Sequence, residues 1–69
     1  MERLPESVVD KIQSFPEYRM GAQLVDLVLD DGCLVENVVV AGDTIFTVGG
    51  SESVNFDPGR VVDARNRVG

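Results

Sequence analysis

Histidine and tryptophan are missing from this sequence of 69 residues, and cysteine occurs once. Without histidine, the chain lacks the commonest general base and metal ligand of enzymes. Because Cys33 has no second cysteine to pair with, an intrachain disulfide cannot form, which excludes a disulfide-stapled secreted scaffold. We therefore expect a protein that is not an enzyme and that uses no cofactor and no metal ion.

Long hydrophobic runs are missing as well. Hydrophobic residues make up 43% of the chain, which is too many for a disordered chain, but they are too scattered for a membrane span. The first five residues, Met-Glu-Arg-Leu-Pro, lack the apolar region of a signal peptide. The sequence therefore indicates a cytoplasmic protein with no membrane partner.

Basic residues are outnumbered, since six stand against twelve acidic residues and the net charge is −6 at pH 7. A negative field repels phosphate backbones, so nucleic-acid binding is possible but disfavoured. The acids are concentrated in residues 1–36, which hold eight acids and three bases, while residues 37–69 hold four acids and three bases. In this second half, Arg60 and Arg65 are candidate contacts for an acidic partner or RNA, although such arginines more often form a solvated face.

The length allows one domain, which spans residues 1–69. Its first segment has the pattern of a short helix, since Pro5 suits a first helical turn and Pro16 prevents the helix from continuing. We predict this helix over about residues 5–15. One apolar stripe at near-helical spacing is expected to dock on the rest of the domain: Leu4, Val8, Ile12 and Phe15.

After this helix the apolar residues alternate with a period of two, which is typical of strands. The first run ends at residues 30–32, Asp-Asp-Gly, a strong hairpin signal between two apolar runs. We favour a three-residue loop with the glycine left-handed, because this register places Leu29 opposite Cys33 and keeps the core face apolar. A two-residue turn would instead pair Leu29 with Leu34 and put Glu36 on the apolar face.

Four further strands are predicted beyond this turn. The second strand contains two consecutive polar residues, Glu36 and Asn37, where a β-bulge would restore the inward phase and bend the strand. In the third strand, Phe46 faces the core and Ile45 faces the other side. The second to fifth strands are expected over residues 33–40, 44–48, 54–56 and 61–64.

One short helix followed by five strands describes a mainly β fold with one N-terminal α-helix. A five-stranded antiparallel sheet can bury its apolar face only by bending over on itself, and the bulge and the glycines provide the bends. We therefore predict a small, bent, five-stranded barrel over about residues 19–65, with the helix covering an open end or face.

The order of these elements resembles the Sm-like family over most of residues 5–65. The resemblance rests on the N-terminal helix, on Asp31-Gly32 at the end of the first strand and on the long bent second strand. It implies an Sm-like barrel that assembles into a ring and binds RNA. The family's Asp and Asn pair corresponds to residues 41–44, which supply Asp43 without the Asn, and its Arg-Gly segment corresponds to Gly59-Arg60 in reversed order. The chain also resembles a small bacterial family, and that resemblance implies no activity.

Three other features are candidates for chemistry, and each has a simpler explanation. Residues 49–51, Gly-Gly-Ser, lack the lysine and the following helix of a phosphate-binding loop. Cys33 lies beside acidic residues that would raise the pKa of its thiol, so an inward-pointing, buried cysteine is the better interpretation. Four acids match no calcium loop and are explained by turn chemistry and solvation: Asp30, Asp31, Glu36 and Asp43.

A surplus of apolar residues is the feature that points to a function. If Val25, Leu27 and Leu29 face the core, further apolar side chains lie on the opposite face of the sheet. A sheet that is apolar on both faces is either covered twice or pairs with another chain. We therefore favour a non-enzymatic interaction module that binds protein and self-associates as a homo-oligomer, with an Sm-like RNA-binding oligomer as the alternative. The candidate interaction residues are Leu24, Val28, Val39, Ile45, Arg60 and Arg65.

Overall fold

The computed structural model describes residues 3–19 and 21–67. The elements are helix α1 (Glu6–Gln13), strands β1 (Gln23–Leu29), β2 (Leu34–Ala41) and β3 (Thr44–Val48), a short 3-10 turn (Pro58–Arg60) and strand β4 (Val61–Asn66). The strands form an antiparallel sheet in the order β3-β2-β1-β4, so the chain is mainly β with a helix before the sheet.

The predicted five-stranded barrel is wrong, because the sheet has four strands in the described residues and is open between β3 and β4. The strand expected over residues 54–56 does not form, and the expected fifth strand is β4. Val54 and Phe56 pack their side chains against the core, so this short run buries its apolar groups without pairing its backbone. A three-residue run between a glycine-rich loop and Pro58 is too short to sustain a ladder of its own.

Helix α1 lies between its two flanking prolines, Pro5 and Pro16. The carbonyl of Pro5 accepts the N–H groups of Val8 and Val9, both at 3.0 Å, at the start of the helix. The helix is shorter than predicted and ends at Gln13, before Pro16. No helix in the described part of the chain has the length and apolar content to cross a membrane. The predicted stripe packs on the core, with Phe15 partly buried and three residues buried: Leu4, Val8 and Ile12.

The β1–β2 hairpin has the favoured register. The Leu29 N–H donates to the Cys33 carbonyl at 2.8 Å across the three-residue loop, and Gly32 has a φ of 88°, which a residue without Cβ adopts at little cost. Cys33 is exposed, so the prediction of an inward-pointing thiol is wrong. The reason is that Cys33 lies in the turn before β2, where its N–H donates to the Asp31 carboxylate at 2.9 Å.

The predicted bulge in β2 is confirmed. The pairing of β1 with β2 shifts opposite Asp26, where β2 accommodates both Glu36 and Asn37. Asn37 has a φ of 62°, a left-handed conformation that asparagine tolerates better than most side chains. The Asp26 carboxylate accepts the Asn37 N–H at 3.0 Å, which stabilises the bulge. The extra residue restores the inward phase, so Val38 and Val40 are buried.

A second irregularity, in β3, was not predicted. It changes which of two neighbouring side chains of this strand faces the core. Val39 pairs with Thr47 and Val40 with Ile45, so Phe46 is the extra residue between the two pairs. Ile45 is 6% exposed and Phe46 is 61% exposed. The prediction that Phe46 faces the core and Ile45 the opposite side is therefore wrong, because one extra residue reverses the phase of a strand.

The core lies between the inner face of the sheet, α1 and the irregular segment before the 3-10 turn. Strand β4 contributes Val61 and Ala64 to it. Residues of α1 and of the inner face of the sheet therefore remove their apolar side chains from water together. The largest fully buried side chains are Ile12, Leu27, Val25, Val38 and Val40.

Candidate functional site

The sheet has an outer face, which points away from the core and α1. Buried and half-buried residues alternate along β1, so Leu24 and Val28 lie on this outer face. Val39 of β2 pairs with Leu24 and is half-buried on the same face. Three of the predicted interaction residues therefore share one face of the sheet.

A groove of about 420 Å³ lies at one end of the outer face. Its volume is in the range of ligand pockets, about 300–1,000 Å³. Strands β1, β2 and β3 contribute its floor, and the segment before β1 contributes a wall. The apolar lining consists of Tyr18, Ala22, Leu24, Val39, Ala41 and Phe46. The other lining residues are Arg19, Asn37, Thr47 and Gly50.

Tyr18 and Arg19 are held at the groove by a tight turn. The Tyr18 N–H donates to the Ala22 carbonyl at 2.8 Å, and the Ala22 N–H donates to the Arg19 carbonyl at 2.9 Å. Gly21 in this turn has a φ of 77°, which side chains with a Cβ adopt only at a cost. These hydrogen bonds bring both side chains to the end of the groove at Ala22, the residue before β1.

Arg19 is the cation of the groove. Its guanidinium carbon lies 4.9 Å from the centroid of the Tyr18 ring, within the range of a cation–π interaction. Within residues 3–19 and 21–67, no carboxylate lies within ion-pair distance of this guanidinium. Among the described residues, the groove lining includes no Asp or Glu, although the chain holds twelve acids and six bases. The groove thus differs in sign of charge from the molecule as a whole.

A charged belt, formed by Asp26, Glu36 and Arg67, crosses the middle of the outer face. The Arg67 guanidinium lies 2.9 Å from the Asp26 carboxylate and 3.7 Å from that of Glu36. Asp26 lies between Leu24 and Val28 on the same side of β1. The charged belt therefore separates the groove from the apolar residues at the other end of the face.

The apolar residues predicted for an interaction surface are only partly brought together. Leu24 and Val39 line the groove. Val28 pairs with Leu34 at the far side of the charged belt, away from the groove. Ile45 belongs to the core, so it is not available to a partner, and the outer position is occupied by Phe46 because of the irregularity in β3.

The two predicted arginines lie outside the groove. The Arg60 Nε and Nη2 atoms are both 2.9 Å from the Asp30 carboxylate, and Nη2 is 3.0 Å from that of Asp31. These ion pairs join the β1–β2 turn to the 3-10 turn before β4. Arg65 is exposed on β4, opposite Asp26. Neither arginine contributes to the groove lining.

The thiol of Cys33, at the same turn, is poorly suited to nucleophilic chemistry. The Asp31 carboxylate, through a hydrogen bond and its negative charge, raises the pKa of this thiol, so less thiolate is present at neutral pH. The pKa of Asp31 is lowered, first by the Cys33 backbone N–H and further by Arg60. In the described part of the chain, no three cysteine or acidic side chains are grouped so as to hold a metal ion.

Tyr18, Arg19 and Phe46 are among the lining residues that sequence reasoning missed. Phe46 is missed because the irregularity in β3 has no local sequence signal, and the other two lie in an aperiodic segment. The sequence offered one signal, because aromatic residues are few: the chain has three phenylalanines and one tyrosine, and Phe46 and Tyr18 are two of these four. Aromatic residues that a small domain leaves exposed together commonly mark a contact surface.

No protein-family model, no curated protein and no solved structure matches this chain. A function is therefore inferred from the groove itself. Within the part of the chain that the structure describes, the groove combines an apolar floor, an arginine without an ion pair and a lining without carboxylates.

Proposed function

We propose that this protein is a non-enzymatic interaction module that binds an extended segment of another protein in the groove on the outer face of its sheet. The groove carries the proposal, because it exposes an aromatic and two aliphatic side chains at one place: Phe46, Leu24 and Val39. Phe46 is 61% exposed, and a contiguous apolar surface of this kind is typical of a protein-binding site.

The size of the groove favours an extended segment over a folded domain. A standard interface between two folded proteins uses about 20–30 residues on each side, whereas ten residues line the groove. An extended segment can bury one or two side chains in a groove of this size. Such anchor residues supply most of the binding energy in many interfaces.

Nucleic acid is a less suitable partner. An RNA-binding surface needs several cations that are free to contact phosphates. Arg60 and Arg67 each lie 2.9 Å from a carboxylate of the chain, and the net charge is −6. The Sm-like alternative has only Arg19 at the groove to offer to a phosphate backbone.

A binding role has more support than a catalytic role. The chain has no histidine, so its nucleophiles lack the commonest activating base. The pKa of the Cys33 thiol is raised by Asp31, which disfavours the nucleophilic thiolate. The lining residues that the structure describes include no cysteine and no carboxylate.

A peptide selection tests the proposal. Random dodecapeptides displayed on phage are selected on the wild-type protein and then measured on Phe46→Ser and Val62→Ser. The two replaced side chains are 61% and 60% exposed, and of the two only Phe46 lines the groove. Because Phe46 is an exposed apolar side chain of the groove, we expect the selected peptides to bind Phe46→Ser roughly tenfold more weakly or worse. We expect them to keep their affinity for Val62→Ser.

Two results would contradict this proposal: no enrichment of any peptide, or peptides that bind both variants equally. Circular dichroism of both variants checks that neither has unfolded. Sedimentation equilibrium tests a second copy of the chain as the occupant. A dimer that Phe46→Ser dissociates and Val62→Ser does not would replace the proposed partner with self-association, which stays a prediction from the sequence.

A further inference from the structure

We infer that the segment bound in the groove carries a carboxylate side chain near an apolar anchor, and that Arg19 recognises this carboxylate. The inference rests on the proposed function and adds the chemistry of the partner to it. Its basis is the distribution of charge around the groove and the position of Arg19 at one end of the floor.

The charge distribution makes the groove a local exception on an acidic molecule. Four other cations each form an ion pair with a carboxylate of the chain: Arg3, Lys11, Arg60 and Arg67. Among the described residues, Arg19 and Arg65 have no such pair, and of the two only Arg19 lines the groove, whose described lining includes no acid. An acidic partner side chain is therefore attracted at the groove and repelled by much of the remaining surface, which orients the bound segment.

Arg19 is positioned to receive a carboxylate. Its guanidinium stacks 4.9 Å from the centre of the Tyr18 ring, and its Nη2 atom donates to the Tyr18 hydroxyl at 3.5 Å. A planar guanidinium offers two parallel N–H groups, which match the two oxygens of a carboxylate. Because stacking on the ring already restricts the side chain, less conformational freedom is lost when the carboxylate binds.

The position of Arg19 brings the acid close to the anchor. The turn that holds Arg19 pairs its backbone with Ala22, and Leu24 follows Ala22 two residues later on the same side of the chain. Alternate residues of a strand are about 7 Å apart. A carboxylate bound by Arg19 therefore lies at one end of the groove, and an extended segment continues from there over Leu24, Val39 and Phe46.

A selection on charge variants tests this inference with the full-length protein. The displayed dodecapeptide library is selected in parallel on wild type, Arg19→Gln and Arg65→Gln, the last being an exposed arginine outside the groove. We expect wild type and Arg65→Gln to enrich Asp or Glu near an aromatic or branched apolar residue. Arg19→Gln is expected to enrich the apolar residue without the acid.

The strongest wild-type peptide is then synthesised with its acid and with the corresponding amide. We expect the amide form to bind roughly tenfold more weakly than the acid form to wild type and Arg65→Gln, because it lacks the charge-assisted hydrogen bonds to Arg19. Arg19→Gln has already lost these hydrogen bonds, so we expect it to bind the two forms equally. Equal affinity of the two forms for wild type, with binding still lost in Phe46→Ser, would overturn the inference and leave the proposed function standing. An acid preference that persists in Arg19→Gln would also overturn it. If no peptide depends on Phe46, both fail.

Discussion

Asn37 connects the backbone of β2 to the groove. Asn37 is one of the groove's lining residues, and its φ of 62° places its backbone in the left-handed region. The Asn37 N–H donates to the Asp26 carboxylate at 3.0 Å, and its carbonyl accepts the Gly49 N–H at 2.9 Å. A single residue therefore joins the bulge to the charged belt and to the loop after β3.

Backbone conformation at Asn37 can be tested by two substitutions. We expect Asn37→Ala to lower the free energy of unfolding by about 1 kcal/mol, because alanine adopts positive φ with more strain than asparagine. Asn37→Gly is expected to be more stable than Asn37→Ala, since glycine carries no such strain. Urea unfolding followed by circular dichroism measures both, with the exposed loop variant Asn55→Ala as a control that changes little. A glycine variant less stable than the alanine variant would contradict this explanation.

Helix α1 and strand β4 are joined by an ion pair between Lys11 and Asp63. The Lys11 ammonium group, followed by the backbone N–H of Ala64, holds the pKa of Asp63 below its ordinary value. Because the folded pKa lies below that of the unfolded chain, the pair stabilises the fold fully above the unfolded value. Its contribution is lost as the pH falls through the folded value. Both side chains are largely solvated, so the effect at neutral pH is small.

A double-mutant cycle measures this link between helix and sheet. Lys11→Met and Asp63→Asn, alone and together, are unfolded with urea at pH 7 and at several values down to about pH 2.5. We expect a coupling free energy at pH 7 that decreases below the ordinary carboxyl pKa and vanishes once Asp63 is protonated. A coupling that stays constant across this range would show that packing of the side chains, and not their charges, joins α1 to β4.

Across the whole molecule, the parts of the fold that depend on local signals are the parts the sequence predicted. The prolines around α1, the Asp-Asp-Gly turn and the polar pair in β2 each act within a few residues, and all three elements formed near their predicted positions. Closure of a barrel required residues 54–56 to find a distant partner strand. That pairing depends on the competition between backbone pairing and side-chain burial, which a three-residue pattern does not reveal.

The residues of the candidate site were likewise predicted only where a local sequence pattern determines their position. Leu24 and Val39 were predicted from the alternation of their strands, because period two assigns a face to every residue. Phe46 was placed on the wrong face, because the irregularity in β3 depends on how that strand pairs with β2. Arg19 reaches the groove through a turn in an aperiodic segment, so neither periodicity nor spacing indicated it.

The central claim is that the groove on the outer face is where this molecule binds a partner. It is tested most directly by titrating the strongest selected peptide into ¹⁵N-labelled protein and mapping the changes in amide chemical shift. We expect the largest changes at Leu24, Val39 and Phe46 and in the turn at Arg19, with little change in α1 on the covered side of the sheet. The largest changes in α1, or at the Arg60 ion pairs beside the β1–β2 turn, would contradict the claim.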